Sequence, residues 1–269
     1  MKGAANNTSA VLPAVAYGAV TDKGRLREEN EDVYHIEAEV SLFLISDGMG
    51  GHRGGALASK IVAEDLPVII ETGLDRLRSQ NPRRVRALLK KAVVEQNMQL
   101  LMEGNSESGY KDMGATLALL LIRQQKVYLA NLGDSRIYRL RRDRLRRLSR
   151  DHSVVSELLH AGKIEPADAE NHSAAGELTH YIGMGAKARP CVRSFALRSG
   201  DRFLLCTDGL TDMVDDKLIT RILRSEPDPQ TVAHSLVNTA NAAGGEDNVT
   251  AVVIDWHASE QAAPASQPS

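Results

Sequence analysis

Aromatic side chains make up only 4% of the 269 residues, with one Trp and three Phe, so the chain offers few of the stacking platforms that hold single-stranded nucleic acid. Charge of either sign is also lacking in excess. The 33 Lys and Arg against 35 Asp and Glu leave a net −2, and no global basic field draws nucleic acid or an anionic membrane. Only two cysteines are present, Cys191 and Cys206. Without C-x-x-C spacing or a secretory context, they read as reduced, buried thiols of a cytoplasmic protein. The longest wholly apolar run, residues 117–122, is far short of the ~20 residues that span a bilayer. Residues 1–13 contain no sustained apolar stretch ahead of a cleavage site and read as a flexible lead-in. Residues 258–269, rich in Ala, Ser, Gln and Pro, carry too little apolar mass to offset the entropy of ordering and read as a disordered tail.

What is present is apolar content of 42%, enough for one large core or two modest ones. Residues 83–103 space Val85, Leu88, Leu89, Ala92, Val93 and Leu100 as one helical face, with Arg84, Lys90, Lys91 and Glu95 left for water. A second amphipathic helix is expected to start at Pro229, carry Val232, Leu236, Val237 and Ala240 inward, and stop at Gly244-Gly245. Between the two helices lie at least five short strand candidates, several apolar at consecutive positions as strands buried on both faces are. Seven arginines fall within residues 139–150, and Asp143 marks a hairpin tip that turns Leu140, Leu145 and Leu148 inward and the arginines outward. That face reads as solvated, with docking of an acidic phosphoprotein as the sharper alternative. Residues 162–190 break the periodicity and read as a helix-and-loop excursion over the core.

Acidic residues recur at the ends of the apolar runs. Residues 41–46 lead into Asp47-Gly48, residues 126–132 into Gly133-Asp134, residues 201–207 into Asp208-Gly209, and Glu246-Asp247-Asn248 opens the run from Val249. Asp-Gly alone is an ordinary turn dipeptide. Four acids held at the same place relative to a buried strand instead supply the hard oxygen ligands that Mg²⁺ or Mn²⁺ requires. Motifs spread from residue 27 to residue 248 argue for one domain, over residues 14–257, since cutting the chain would divide the acidic cluster.

Six motifs, Arg27-Glu-Glu-Asn30-Glu31-Asp32, Asp47-Gly-Met-Gly-Gly51, Gly114-Ala-Thr116, Gly133-Asp-Ser-Arg136, Asp208-Gly-Leu210 and Asp247-Asn248, resemble in order and approximate spacing those of the bacterial metal-dependent protein phosphatases, the PPM or type 2C family. The resemblance runs from about Ala14 to Asp255. It implies an α+β fold, a four-layer αββα sandwich of two antiparallel sheets flanked by helix pairs, with the metal site at one sheet edge. It further implies hydrolysis of phosphoserine and phosphothreonine by water activated between two Mn²⁺ or Mg²⁺ ions, in opposition to a bacterial Ser/Thr kinase. By the same resemblance Asp47 bridges both ions, Gly48 offers its carbonyl to the second, and Asp208 and Asp247 complete the shell of the first. Glu31 reaches the second ion through water with Asp32 beside it, Asp134 and Asp208 match a weaker third position, and Arg27 grips the substrate phosphate. Residues 162–190 match the flap of bacterial relatives.

One departure stands out. Animal relatives place a histidine after the Asp-Gly pair as the candidate general acid, and here that residue is Met49; His52 and a metal-bound water are the substitutes weighed. Neither cysteine lies in a phosphate-cradling loop, which removes thiol-based phosphatase chemistry. The rival readings are a two-metal phosphodiesterase or nuclease, which needs a basic groove, and a non-catalytic phosphoprotein-binding regulator, which would lack a ligand acid. The expected state is a monomer with phosphoprotein partners, no nucleic acid and no membrane span. The stretch Leu178-Thr-His-Tyr181 is similar to phosphatases encoded with type VI secretion systems.

Overall fold

The structure is a computed structural model that describes residues 14–50, 54–106, 110–169 and 172–257. The lead-in, the tail and His52 lie outside the described residues. The first half of the chain gives β1 (Ala14–Asp22), β2 (Asp32–Glu37), β3 (Leu42–Met49), α1 (Gly54–Asp75), α2 (Pro82–Ser106), β4 (Gly114–Ala115), β5 (Leu117–Arg123) and β6 (Lys126–Leu132). The second half gives β7 (Arg136–Arg141), β8 (Arg144–Arg147), α3 (Val154–His160), β9 (Cys191–Ala196), β10 (Asp201–Cys206), α4 (Asp208–Thr211), α5 (Asp216–Ser225), α6 (Pro229–Ala242) and β11 (Val249–His257).

All pairings are antiparallel. One sheet runs β1-β11-β10-β7-β8 and the other β2-β3-β5-β6-β9, with β4 attached to β3. The consecutive apolar residues follow from strands covered on both faces. In β5, Leu117, Leu119 and Leu121 pack toward α1 and α2, while Ala118, Leu120 and Ile122 enter the space between the sheets. In β11, Val249, Ala251 and Val253 meet the other helices, and Val252, Ile254 and Trp256 join the same central layer. Each fully buried Leu, Ile or Val in these layers stabilises the fold by about 1.5–3 kcal/mol. The result is the expected αββα sandwich.

The expected helix over residues 83–103 is α2, its buried face including Val85, Leu89, Val93 and Leu100. The expected start at Pro229 is also found: Asp228 caps α6 by accepting the Thr231 N–H at 2.8 Å, and the backbone turns left-handed at Gly244 and Gly245. Sequence periodicity does not reveal α1, which carries Pro67 within it, nor α3 and α5. The hairpin tip is Arg142-Asp143, both with positive φ as a two-residue primed turn demands. Of the two thiols only Cys206 is buried; Cys191 is half-buried because it opens the edge strand β9. Among the described residues no helix is long and apolar enough to cross a membrane.

This topology places the functional ends together. β3 and β6 are both antiparallel to β5 and so run the same way, bringing Asp47 and Asp134 to one end of their sheet. In the other sheet β10 and β11 are antiparallel, so Asp208 after the first and Asp247 before the second share an end. Asp32 joins the two. Its Oδ2 accepts the hydroxyls of Thr207 and Thr250 from the opposite sheet, each at 2.8 Å.

Candidate metal centre

A cleft of about 710 Å³ opens over these strand ends, and Arg27, Glu31, Asp47, Gly48, Asp134, Asp208 and Asp247 line it. Asp32 lies beneath, buried, paired in register with Asp47. Arg27, Gly48 and the six acids named by the resemblance are thereby brought to one place. Gly176 and Leu178, from the excursion over the core, line the same cleft.

The backbone around each acid is fixed by neighbouring hydroxyls and amides. Thr116 bonds Asp47 twice, its Oγ1 accepting the Asp47 N–H at 3.0 Å and its own N–H donating to the Asp47 carbonyl at 2.8 Å. The same hydroxyl meets Ser135 Oγ at 2.7 Å and so ties the Asp47 and Asp134 loops together. Asn248 anchors the N-terminal acidic loop. Its Oδ1 accepts the Glu31 N–H at 2.7 Å, and its Nδ2 donates to the carbonyls of Lys23 and Glu29, each at 2.9 Å. Gly48 and Gly55 let this loop approach the start of α1: a Cβ on Gly48 would strike the Gly55 carbonyl, and a Cβ on Gly55 would strike the Glu31 carboxylate. Glu31 is further held by Ser59 Oγ, which donates to its carbonyl at 2.5 Å.

Thr116 and Asn248 lie within the six motifs without an assigned role, and Thr207, Thr250 and Ser59 lie outside them. Thr250 carries a readable signal, since it alternates with Val252, Ile254 and Trp256 on the face of β11 that meets the other sheet and is the one polar residue of that set. Ser59, packed by the helix that periodicity misses, carries none.

Electrostatics confirm that the carboxylates crowd one another. Burial first, then the charges of Asp208 and Asp247, push Asp32 up to about 7 despite its two hydroxyl donors. Burial, followed by Asp212 and Asp247, pushes Asp208 up to about 6. Asp47 and Asp134 are held well above the usual carboxylate range, again by burial before neighbouring acids. Among the described residues no three His, Cys, Asp or Glu side chains close around a single point as they stand. The acids partly satisfy themselves instead: Asp47 hydrogen-bonds Asp208, and Asp247 Oδ2 accepts Arg27 Nη2 at 2.7 Å.

The donor set nevertheless fits hard divalent ions. It consists of carboxylate oxygens and the Gly48 carbonyl, and two buried acceptors, Asp32 Oδ1 and Asp208 Oδ1, have no hydrogen-bond partner. A cation supplies the charge and the coordination that both lack. Met49 also lines the cleft, and a thioether holds no proton to donate.

A pH dependence follows. With pKa values raised above the unfolded 3.8, the metal-free fold holds protons that the unfolded chain has released between about pH 4 and 7. Proton uptake on folding means that these groups favour the fold at low pH and that their contribution is lost as pH rises through 6 and 7. Divalent ions oppose that loss by replacing the protons. The rise in Tm on adding Mn²⁺ is therefore expected to be larger at pH 8 than at pH 5.5 in thermal melts run beside an EDTA control, and a rise independent of pH would remove these carboxylates from the ion site.

Comparison with known proteins bears on this geometry. Residues 25–239 match the family model described as Protein phosphatase 2C. The chain is 33% identical to the serine/threonine phosphatase stp of Listeria innocua over 249 residues, covering 91% of this chain and 98% of the relative. Among solved structures it resembles PppA, described as a key regulatory component of the type VI secretion system in Pseudomonas aeruginosa, with a TM-score of 0.75, 31% identity, and coverage of 90% and 97% of the two chains. It also resembles the catalytic domain of the serine/threonine protein phosphatase PstP in complex with two manganese ions, with a TM-score of 0.74, 31% identity, and coverage of 90% and 98%.

Proposed function

The chain belongs to the protein phosphatase 2C family, and from that premise we propose the substrate, the site roles and the setting of its activity. It is a metal-dependent protein serine/threonine phosphatase, and Mn²⁺ or Mg²⁺, two ions per chain, is its cofactor. Residues 14–257 act as one catalytic unit in the cytoplasm, as a monomer, removing phosphate from phosphoserine and phosphothreonine proteins that a bacterial Ser/Thr kinase has modified. The observation that carries this reading is the convergence of acids from both sheets on one cleft, Glu31, Asp47, Asp134, Asp208 and Asp247 lining it with Asp32 beneath, and with partnerless buried oxygens on Asp32 and Asp208.

When bound, the two ions lower the pKa of water and neutralise charge on the phosphoryl oxygens. Asp47, central in the cleft and hydrogen-bonded to Asp208, would bridge them. Asp208 and Asp247, Glu31 and the Gly48 carbonyl would complete their shells, Asp32 would hold Asp47 and the opposite sheet in register, and Asp134 with Asp208 would form a weaker third position. Arg27 stands at the rim, its side chain 54% exposed, and exchanges its contact with Asp247 for the substrate phosphate. Its planar fork suits two phosphoryl oxygens at once. The flap residues Gly176 and Leu178 border the path of a phosphoprotein, and the similarity of Leu178-Thr-His-Tyr181 to type VI secretion phosphatases supports that setting for the kinase it opposes.

The activity is tested by phosphate release from a phosphothreonine peptide with and without Mn²⁺, beside a bis-ester. Release from the monoester alone, and only with metal, is expected. Cleavage of the bis-ester would establish a phosphodiesterase, and metal-dependent binding without release a regulator. Arg27→Ala separates substrate from metal contacts: KM for the phosphopeptide should rise, corresponding to a loss of roughly 1.5–3 kcal/mol for a charge-assisted contact, with little change in Mn²⁺ activation. Unchanged kinetics with weakened Mn²⁺ activation would assign Arg27 to Asp247 alone.

A further inference from the structure

The β7–β8 hairpin carries a second concentration of charge that the metal centre does not use. Its register sets Arg139 directly opposite Arg146 and Arg141 directly opposite Arg144, so the four arginines share one face at the edge of the five-stranded sheet. Like charges placed opposite each other in a sheet are destabilising. Arg198 adds to the same group, and burial together with Arg141, Arg146 and Arg198 lowers the proton affinity of Arg139.

Among the described residues, only Arg141 of these four is balanced by a carboxylate. Asp201 gives its two oxygens to Arg141 Nε and Nη2 at 2.5 and 2.6 Å, and accepts the Arg198 backbone N–H besides. Asp143 pairs with Arg224, and Asp151 with Arg136 and Arg147. Among the described residues Arg139, Arg144 and Arg146 form no ion pair, and Arg139 Nε is buried with no hydrogen-bond partner. Arg144 and Arg146 are exposed on β8, which pairs only with β7 and leaves its outer edge open. A buried donor without an acceptor, flanked by exposed arginines without ion pairs, offers charge and hydrogen bonds to an anionic group.

We propose that this face docks an acidic, extended segment of the phosphoprotein substrate, outside the metal cleft. The inference rests on the phosphatase reading. Phe203, opposite Arg139, lies five residues before Asp208, which follows the end of β10 at Cys206, so Arg139 is up to about 17 Å from Asp208 at 3.4 Å per residue. An extended substrate covers that distance in about five residues, so the acidic stretch belongs about five to seven residues from the phosphorylated one. Nucleic acid is the weaker fit, since the net charge of −2 brings no broad positive field and the face carries no aromatic between its arginines.

The test is the double variant Arg144→Glu/Arg146→Glu, which changes two exposed side chains and turns both like-charge pairs into opposite-charge ones. Its Tm is expected to equal or exceed that of the parent, which a merely structural role for these arginines does not predict. Binding of a fluorescein-labelled, unphosphorylated Glu-rich peptide, read by anisotropy, should weaken about tenfold and lose its salt dependence. Hydrolysis of a small aryl phosphate should be unchanged, while KM should rise only for a phosphopeptide that carries the acidic stretch. Peptide binding is scored without turnover, so absence of aryl phosphate hydrolysis would sink the phosphatase reading and leave docking to be judged separately. Equal peptide affinity in parent and variant, or stronger competition by single-stranded RNA than by the acidic peptide, would overturn the docking proposal.

Discussion

Asp208→Asn is expected to abolish Mn²⁺-stimulated phosphate release while leaving the fold intact. The side chain sits at the first position of α4, half-buried, with one oxygen shielded from solvent and unpartnered and with burial and acidic neighbours raising its pKa to about 6. An amide is the same size and keeps an acceptor, so packing against Asn248 at Gly209 is undisturbed. What it loses is the negative charge that makes the position a ligand. Since Asp208 is assigned to two ion positions, the loss should reach about a thousandfold in kcat, comparable to removal of a principal electrostatic group. Tm without metal should be equal or higher, because one member of a repelling cluster is neutralised. Retention of most of the Mn²⁺-stimulated rate at saturating metal would refute the assignment.

Asn248→Ala is expected to act at a distance from the ions and still cost most of their affinity. The side chain is buried and makes three hydrogen bonds to the loop that carries Arg27 and Glu31. Truncation strands the Glu31 N–H and the carbonyls of Lys23 and Glu29, at a cost of about 1–3 kcal/mol in stability. Partners that orient ligands typically change metal affinity by about 10–100-fold, and a shift of that size in the Mn²⁺ concentration for half-maximal activity is the expected readout. At saturating Mn²⁺ kcat should largely recover, because no ligand atom has been removed. A variant with the parent's activation curve would show that the acidic loop holds its place without Asn248.

The four strand-end acids proposed as ligands were legible because each one follows or precedes a run of apolar residues, and strand direction then decides where they meet. Asp47, Asp134, Asp208 and Asp247 announce themselves by position alone, and so does the capped start of α6 at Asp228-Pro229. The supporting residues were not legible in the same way. Asn248, Thr116 and Thr207 act through partners as far as 225 residues away, and nothing local marks a hydroxyl or amide as the one that reaches so distant a partner. Helix α1 was lost to a different cause. Its buried face is built largely from Gly, Ala and Ser at its start and includes Pro67, so the period of large apolar residues is broken where the helix packs closest to the site. The arginine run illustrates a third limit: alternation placed the leucines of β7 and β8, but not the half-burial of Arg139 and Arg141 against the second sheet.

The pairing of β1 with β11 along nine residues has a consequence for synthesis. The first described strand has its only sheet partner in the last, so β1 waits unpaired while some 230 residues are made, and the sheet that carries Asp208 and Asp247 completes only when β11 arrives. Chains emerge N-terminus first. The two sheets that carry the cleft acids are therefore complete only once β11 has emerged and paired with β1 and β10.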